Sequence, residues 1–490
     1  MKIFVHPYFR LSSILIFGVM CSCSCSKSIP GKPSVPPPVV KPPVNTASTV
    51  QMWLTDGDKS NLFSKQNIAL NFDKTENKNL PNIVVDSTQH YQSIDGFGYT
   101  LTGGSAFLLN SLDAQTQDKT LKDLFSTENN SIGVSYLRIS IGSSDLDANV
   151  FTYDDLTNGQ IDVDLNSFSI APDQQNLIPI LKKILAINPS IKIMATPWSA
   201  PSWMKTNGSS KGGFLKQEYF AAYANYFVKY IKAMKAAGIT IDAITPQNEP
   251  LNPDNNPSMV MTALDAANFI KNNLGPTFKS KGVATKIIVY DHNADVPQYP
   301  LTILADADAS KYVDGSAFHL YAGNINSLSQ VHNAYPDKNL YFTEQYTPIS
   351  GSFDGDLSWH TSNLIIGATR NWSRNVLEWN LASDQNLGPH TPGGCTTCLG
   401  ALTIGSSSSV IKNVSYYIIA QASKFVRPGA SRIASTSNGN LASVAFKNTD
   451  GKKVLIVTNT GNADQQFNVL FGGKALQSTL RPGSVATYVW

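Results

Sequence analysis

Between about residues 94 and 426, short apolar runs alternate with longer segments of helical periodicity. The runs are IDGFGYTLT near Ile94, YLRISIG from Tyr136, IKIMATP from Ile191, IDAITPQNEP from Ile241, KIIVYDHN from Lys286, SAFHLYAG from Ser316, LYFTEQYT from Leu340 and VLEWNLA from Val376. Eight strand-like runs, each followed by a helical pattern, satisfy the count for a closed (β/α)8 barrel of the α/β class. The clearest helix is predicted over Gln217 to Ala237, where Tyr219, Tyr223, Tyr226, Phe227 and Tyr230 recur at helical spacing and Gly238 supplies the stop. That aromatic stripe is expected to pack on the sheet. After Arg427 the texture changes to short β-rich runs separated by the turn signals NGN, DGK, GNA and PGS, which predicts a small antiparallel β-sandwich side domain over 427–490. The segments VQMWLTD and NIVVDST, within 50–93, are also strand-like and are expected to join that side domain.

The polar residues fall where a barrel places functional groups, at the C-terminal ends of its strands. Arg138 and Asp145, Trp198, Asn248 with Glu249, Asp291 with His292, His319 with Tyr321, Glu344, and Trp379 with Asn380 all lie at or just after the ends of their runs. An open doubly wound sheet is the rival, but it asks for one crevice at a switch point rather than polar residues at every strand end. Only six of the acidic residues are glutamates, and three of those, Glu249, Glu344 and Glu378, sit in apolar strand-like surroundings where an unpaired carboxylate is costly. Strand alternation puts Glu378 on the face opposite Trp379, as a structural partner. Asp154 and Asp155 lie in a polar loop and are expected to be solvated.

Composition narrows the possibilities. With 42% hydrophobic and 15% charged residues among 490, the chain is globular with ample material for a large core. A net charge of +3 without a basic run leaves no footprint for nucleic acid, and no apolar run is long enough to span a bilayer. Lys2 and Arg10 precede the apolar stretch Leu11 to Met20, which runs into CSCSCS, the pattern of an export signal over 1–25. Cysteines at such a site resemble the lipobox of bacterial lipoproteins, with Cys21, Cys23 and Cys25 as possible acylated residues and Cys25 favoured by the CSKS that follows it. The proline-rich stretch over 26–49 is then a tether. The expectation is an exported bacterial lipoprotein of the outer membrane, touching the membrane only through its lipid. Cys395 and Cys398 form a CxxC, which in an exported chain is expected to be a disulfide stiffening the loop after the eighth strand. A metal site would need further ligands, and the seven histidines are scattered.

Glycoside hydrolysis needs two carboxyl groups facing the scissile bond, and side chains from the fourth and seventh strands, Glu249 and Glu344, converge across a barrel mouth. Asn248 can hydrogen-bond a sugar hydroxyl, Tyr321 can orient Glu344, and Trp198 and Trp379 fit the apolar faces of pyranose rings. The segments DGFGYTLTGGSA, YLRISIGSSD, ATPWSAPSWMKTNG, ITPQNEP, SAFHLYAG, LYFTEQY, LEWNLASDQNLGPHTPGGC and ASKFVRPGASRI resemble glycoside hydrolase family 30 in matching order over residues 94 to 432. The resemblance implies a retaining clan A barrel with a fused β side domain, Glu249 as acid/base and Glu344 as nucleophile. It further implies that Asp145, Trp198, Asn248 and Trp379 hold the glucosyl unit at the cleavage point, with Arg138, His319 and Tyr321 in its inner shell. The loop NLGPHTPGGCTTCLGALTIG resembles the endo-β-1,6-glucanase branch, which implies β-glucan as partner, no cofactor and a monomer. Glucosylceramidase, an exo-acting β-glucosidase or a xylan-active enzyme are alternatives on the same machinery, and a lipid-anchored carbohydrate-binding protein is the alternative without turnover. Retention requires the two carboxyls about 5 to 5.5 Å apart, and a separation of about 8 Å or more contradicts it.

Overall fold

The computed structural model describes residues 49–157 and 159–490. The export signal, the tether and Cys21, Cys23 and Cys25 lie outside the described residues. Eight parallel strands close into a barrel in chain order: β1 (Gly96–Thr100), β2 (Tyr136–Ser140), β3 (Lys192–Thr196), β4 (Ala243–Ile244), β5 (Lys286–Ala294), β6 (Val313–Gly323), β7 (Asn339–Glu344) and β8 (Ser373–Glu378), with β8 pairing back onto β1. Each coincides with one of the eight apolar runs. Helices fill the connections, among them Gly103–Ser111 after β1, Leu177–Ile187 after β2 and Phe220–Ala236 after β3. The tyrosine stripe of Phe220–Ala236 is buried as expected, and Gly238 stops the helix with φ +87°.

The side-chain period of two along a strand explains how this barrel builds a site. Tyr136, Met194, Ala243, Ile288, Ala317, Tyr341 and Leu377, one from each of seven strands, form a single buried cluster that plugs the barrel. Two residues further along, the same inward face carries Arg138, Thr196, Thr245, His319, Thr343 and Trp379. An apolar plug therefore turns into a polar layer within one step of each strand. β5 departs from this: its register against β6 shifts between Tyr290 and His292, and Tyr290 and Asp291 take φ of +80° and +56°. The Tyr290 ring packs instead beside Tyr299 and Phe318, and Asp291 enters the polar layer in its place.

Gly98 of β1 shows how tightly the strands are laid, since a Cβ there would fall 1.9 Å from the Tyr136 carbonyl oxygen. Thr102 caps the first helix by accepting from the Ser105 N–H at 3.0 Å.

The side domain takes strands from both ends of the chain. Gln51–Thr55 pairs antiparallel with Val485–Val489, and the long strand Asn82–Ser93 pairs antiparallel with Ser431–Ser435 and parallel with Gln465–Phe471. These strands fold over their own core of Met52, Ile83, Leu455, Val457, Phe467 and Tyr488. The strand Lys453–Asn459 shows why the sandwich is inseparable from the barrel. Leu455 and Val457 enter the sandwich core, while Val454 and Ile456 join the barrel's. Gln421, from the last helix, donates to Thr55 and accepts from Thr487. Among the described residues no helix is long and apolar enough to cross a membrane.

One loop expectation is corrected. Asp155 is exposed, but Asp154 is 1% exposed, accepts from the Trp203 indole N–H at 3.2 Å, and is pushed by burial up to about 6. The loop folds back under the Trp203 ring, which the polar run of sequence does not announce.

Candidate active site

Asp291 is the hub of the polar layer. Its Oδ2 accepts from Arg138 Nη2 at 3.0 Å, Thr196 Oγ1 at 2.9 Å and Thr245 Oγ1 at 2.8 Å; its Oδ1 accepts from Thr343 Oγ1 at 2.6 Å and His319 Nε2 at 3.1 Å. Burial alone would favour the neutral acid, but the Arg138 charge and the His319 hydrogen bond hold Asp291 far below the usual carboxylate range. Sequence reading placed Asp291 at a strand end but gave it no role. The missing signal is the bulge that turns it inward.

Arg138, fully buried, distributes its guanidinium over the site. Nη1 donates to Glu344 Oε2 at 2.7 Å and Nη2 to Asn248 Oδ1 at 2.6 Å, while the plane lies 4.9 Å from the centre of the Trp198 ring. The Tyr321 hydroxyl donates to the other oxygen of Glu344 at 3.1 Å. Glu344 is raised by burial, against which His319 and Arg138 pull down. Asn248, its carbonyl end taken by Arg138, has no protein acceptor for its N–H2 among the described residues.

Glu249 stands in the loop five residues after β4 with φ +43°, a left-handed backbone that costs a non-glycine residue about 1–3 kcal/mol. Its Oε1 is 3.2 Å from His319 Nδ1 and 3.6 Å from His292 Nδ1; its Oε2 accepts from Asn252 Nδ2 at 2.7 Å and from Asn255 Nδ2 at 3.4 Å. Burial would raise Glu249, yet the two histidines outweigh it and hold it well below its ordinary value. His319 is the counterpart: burial opposes its charge, but Glu344, Asp291 and Glu249 raise it to about 9. The resting site thus places the proton on His319, between the Glu249 and Asp291 carboxylates. Because His319 Nδ1 lies 3.2 Å from Glu249 Oε1 and 3.8 Å from Glu344 Oε1, those oxygens are within about 7 Å of each other, short of most of the inverting range.

Two of the seven histidines therefore converge rather than scatter, and Glu249, His292 and His319 bring ligand-type atoms within 4.8 Å of one another. Both ring nitrogens of His319 are committed to carboxylates, so the doubly protonated ring offers no lone pair to a cation.

The other predicted residues line the same end of the barrel. Trp198 and Trp379 pack at a tilt of 33° with centroids 5.4 Å apart and are 1% and 3% exposed, so little of either ring reaches solvent. They share a cluster with Leu146 and Cys398. Cys395 and Cys398 form the expected disulfide, with Cα atoms 5.8 Å apart. The loop it closes is tied to Asp145, whose Oδ2 accepts the Cys395 N–H at 3.2 Å and whose carbonyl accepts the Thr391 N–H at 2.9 Å. Burial, with the charge of Glu344 adding to it, pushes Asp145 up to about 7. Arg138 and His319, both 0% exposed, lie beneath the carboxylates rather than on the cleft surface. Glu378 points away from the mouth, 2.8 Å from His360 Nδ1. Asn252 and Asn255, which sequence reading passed over, sit three and six residues after Glu249, in a turn closed by the Asn252 N–H on the Glu249 carbonyl at 2.9 Å.

Two carboxylates brought together at the C-terminal mouth of a (β/α)8 barrel, one braced by an arginine and a tyrosine and the other sharing a proton with a histidine, define an O-glycosyl hydrolase. The chain belongs to glycosyl hydrolase family 30: the family's TIM-barrel domain matches residues 94–426 and its beta sandwich domain residues 429–488. It is 36% identical over 439 residues to an endo-1,6-beta-D-glucanase of Aspergillus fumigatus, covering 83% of this chain and 87% of that one. It is 28% identical to the lysosomal acid glucosylceramidase of Mus musculus, covering 83% of each. Among solved structures, the endo-beta1,6-glucanase BT3312 matches with a TM-score of 0.83 and 35% identity over 90% of this chain and 99% of that one.

Proposed function

We propose that this hydrolase cleaves β-1,6-glucosidic linkages in β-glucan by double displacement, with Glu344 as nucleophile and Glu249 as acid/base. The bridging of both carboxylates by His319 carries the mechanism, because it ties the proton of one to the charge of the other. Glu344, aligned by Arg138 and Tyr321, attacks the anomeric carbon. Its negative charge is what chiefly holds the proton on His319, and that charge is consumed as the ester forms. The proton is then released toward Glu249 and the departing sugar oxygen. In the second step ionised Glu249 takes a proton from the water that attacks the glucosyl ester, and Glu344 leaves as carboxylate. Asp145 and Asn248, with polar groups beside the two carboxylates, are read as holding the glucosyl hydroxyls, and the edges of Trp198 and Trp379 as bounding the ring.

The linkage rests on the identity to the endo-1,6-beta-D-glucanase of Aspergillus fumigatus and to BT3312. Incubation with a β-1,6-linked glucan is expected to yield oligosaccharides early. Glucose as the sole early product would mean exo-action, and no rise in reducing ends would overturn the reading. We also infer export and acylation at Cys25 from the N-terminal sequence, and action as a monomer. Loss of a metabolically incorporated fatty acid in Cys25→Ser, but not in Cys21→Ser, tests the anchor.

A further inference from the structure

The loop after Glu249 reads NEPLNPDNNP, and it presents two carboxamides to one oxygen of the acid/base. Their orientation is not arbitrary. Asn252 Oδ1 accepts the Asp254 N–H at 3.0 Å, so its Nδ2 must be the end that faces Glu249 Oε2, at 2.7 Å. The loop is fixed at its far side as well. Ser258 donates from Oγ to the Pro253 carbonyl at 2.9 Å, and its own carbonyl accepts from the buried Lys205 Nζ at 2.7 Å. Asn256 Nδ2 reaches the Pro392 carbonyl at 3.0 Å in the disulfide loop. Asn252 is thus a rigidly mounted donor on the oxygen of Glu249 that His319 does not touch.

Resting on Glu249 being the acid/base, we propose that Asn252 is a positioning residue that holds Glu249 as the carboxylate, in the rotamer that reaches the leaving group, so favouring the second, water-activating step. A donor to an ionised carboxylate stabilises that form, so its removal makes Glu249 bind its proton more tightly. The other charged or titratable groups facing Glu249 are His292 on β5, His319 and Tyr321 on β6, Glu344 on β7, and Asp145, Tyr290 and Asp291 around them. None of them is altered by a change at position 252. Asn255, at 3.4 Å, is the weaker second donor.

The test is the pH profile of kcat/KM on a β-1,6-linked gluco-oligosaccharide for wild type, Asn252→Ala and Asn252→Asp. The alkaline limb, set by the proton that His319 and Glu249 share, should move up by about half a pH unit in Asn252→Ala and by about one in Asn252→Asp, where a second carboxylate faces the first. With an aryl β-glucoside whose leaving group needs no proton, kcat for Asn252→Ala should fall about tenfold as hydrolysis of the ester becomes limiting. A limb that stays in place in both variants, with kcat merely reduced, would overturn the proposal. Glu249→Ala separates the two readings. If, on the aryl glucoside, it hydrolyses the glucosyl ester at the wild-type rate and azide neither speeds turnover nor yields β-glucosyl azide, the acid/base assignment itself has failed; if azide restores turnover as the β-glucosyl azide while the Asn252 variants leave the alkaline limb on the oligosaccharide unmoved, only the role of Asn252 has.

Discussion

At Asp145 the requirements of folding and of the proposed glucosyl contact pull in opposite directions. The carboxyl is 5% exposed and has one backbone donor on its oxygens, the Cys395 N–H, which leaves burial uncompensated. Its proton is held up to about 7, against an ordinary 3.8, so the folded state binds a proton that the unfolded chain gives up. Stability contributed at this position is therefore present below about pH 4 and lost as pH rises toward 7. Asp145→Asn should match wild type in urea denaturation at pH 4, exceed it by about 2 kcal/mol at pH 8, and bind glucan more weakly at both. The opposite sign holds at His319, where a folded value of about 9 lies above the ordinary 6.5. Its contribution is complete below about 6.5 and disappears as pH rises through 9. Arg138 has no such latitude. Arg138→Met leaves Asp291 and Glu344 buried without their cation and should cost about 3–5 kcal/mol in a melt, whereas Glu344→Gln should melt near wild type and lose about 10³-fold or more in turnover. Glu249 and Glu344 were legible in the sequence because a glutamate amid an apolar run demands a reason. Asp291 and Asn252 were not, because their roles depend on a left-handed bulge and on an amide pinned by a neighbouring N–H.

Among the elements, periodicity told most. The eight apolar runs became the eight strands because the inward positions, spaced by two, place an apolar plug below and a polar layer above. The register shift in β5 was invisible, since one inserted residue changes no composition while exchanging which side chain faces in. Gly98 illustrates how little slack the ladder has: Gly98→Ala should cost about 3 kcal/mol or prevent folding, measured by chemical denaturation, because its Cβ would overlap the Tyr136 carbonyl. The disulfide loop is tied to Asp145, the residue proposed to hold a glucosyl hydroxyl. With both Cys395 and Cys398 replaced by serine, the loop should loosen from Asp145, raising KM about tenfold while kcat stays within about twofold. An unchanged KM would separate the loop from the glucosyl site.

For the molecule as a whole, the sandwich is a buttress built from both chain ends rather than an appendage. The two faces of Lys453–Asn459 serve two cores, Phe97 of β1 meets Phe446 of the side domain with centroids 6.4 Å apart, and Arg370 donates to the carbonyls of Ser443 and Ser435. Calorimetry should therefore show one transition for the described body, and deletion of residues 427–490 should yield an insoluble barrel. The change of texture at Arg427 and the turn glycines made this domain readable. That it shares its core with the barrel was not, since VLIV reads equally as a strand buried on one face or two. Double displacement requires that Glu344 form the glycosyl ester. Brief reaction with a 2-deoxy-2-fluoro-β-glucosyl fluoride, followed by proteolysis and mass spectrometry, should find the fluoroglucosyl label on Glu344 alone. A label on Glu249, or no label with the first sugar released bearing the inverted anomeric configuration, would contradict it.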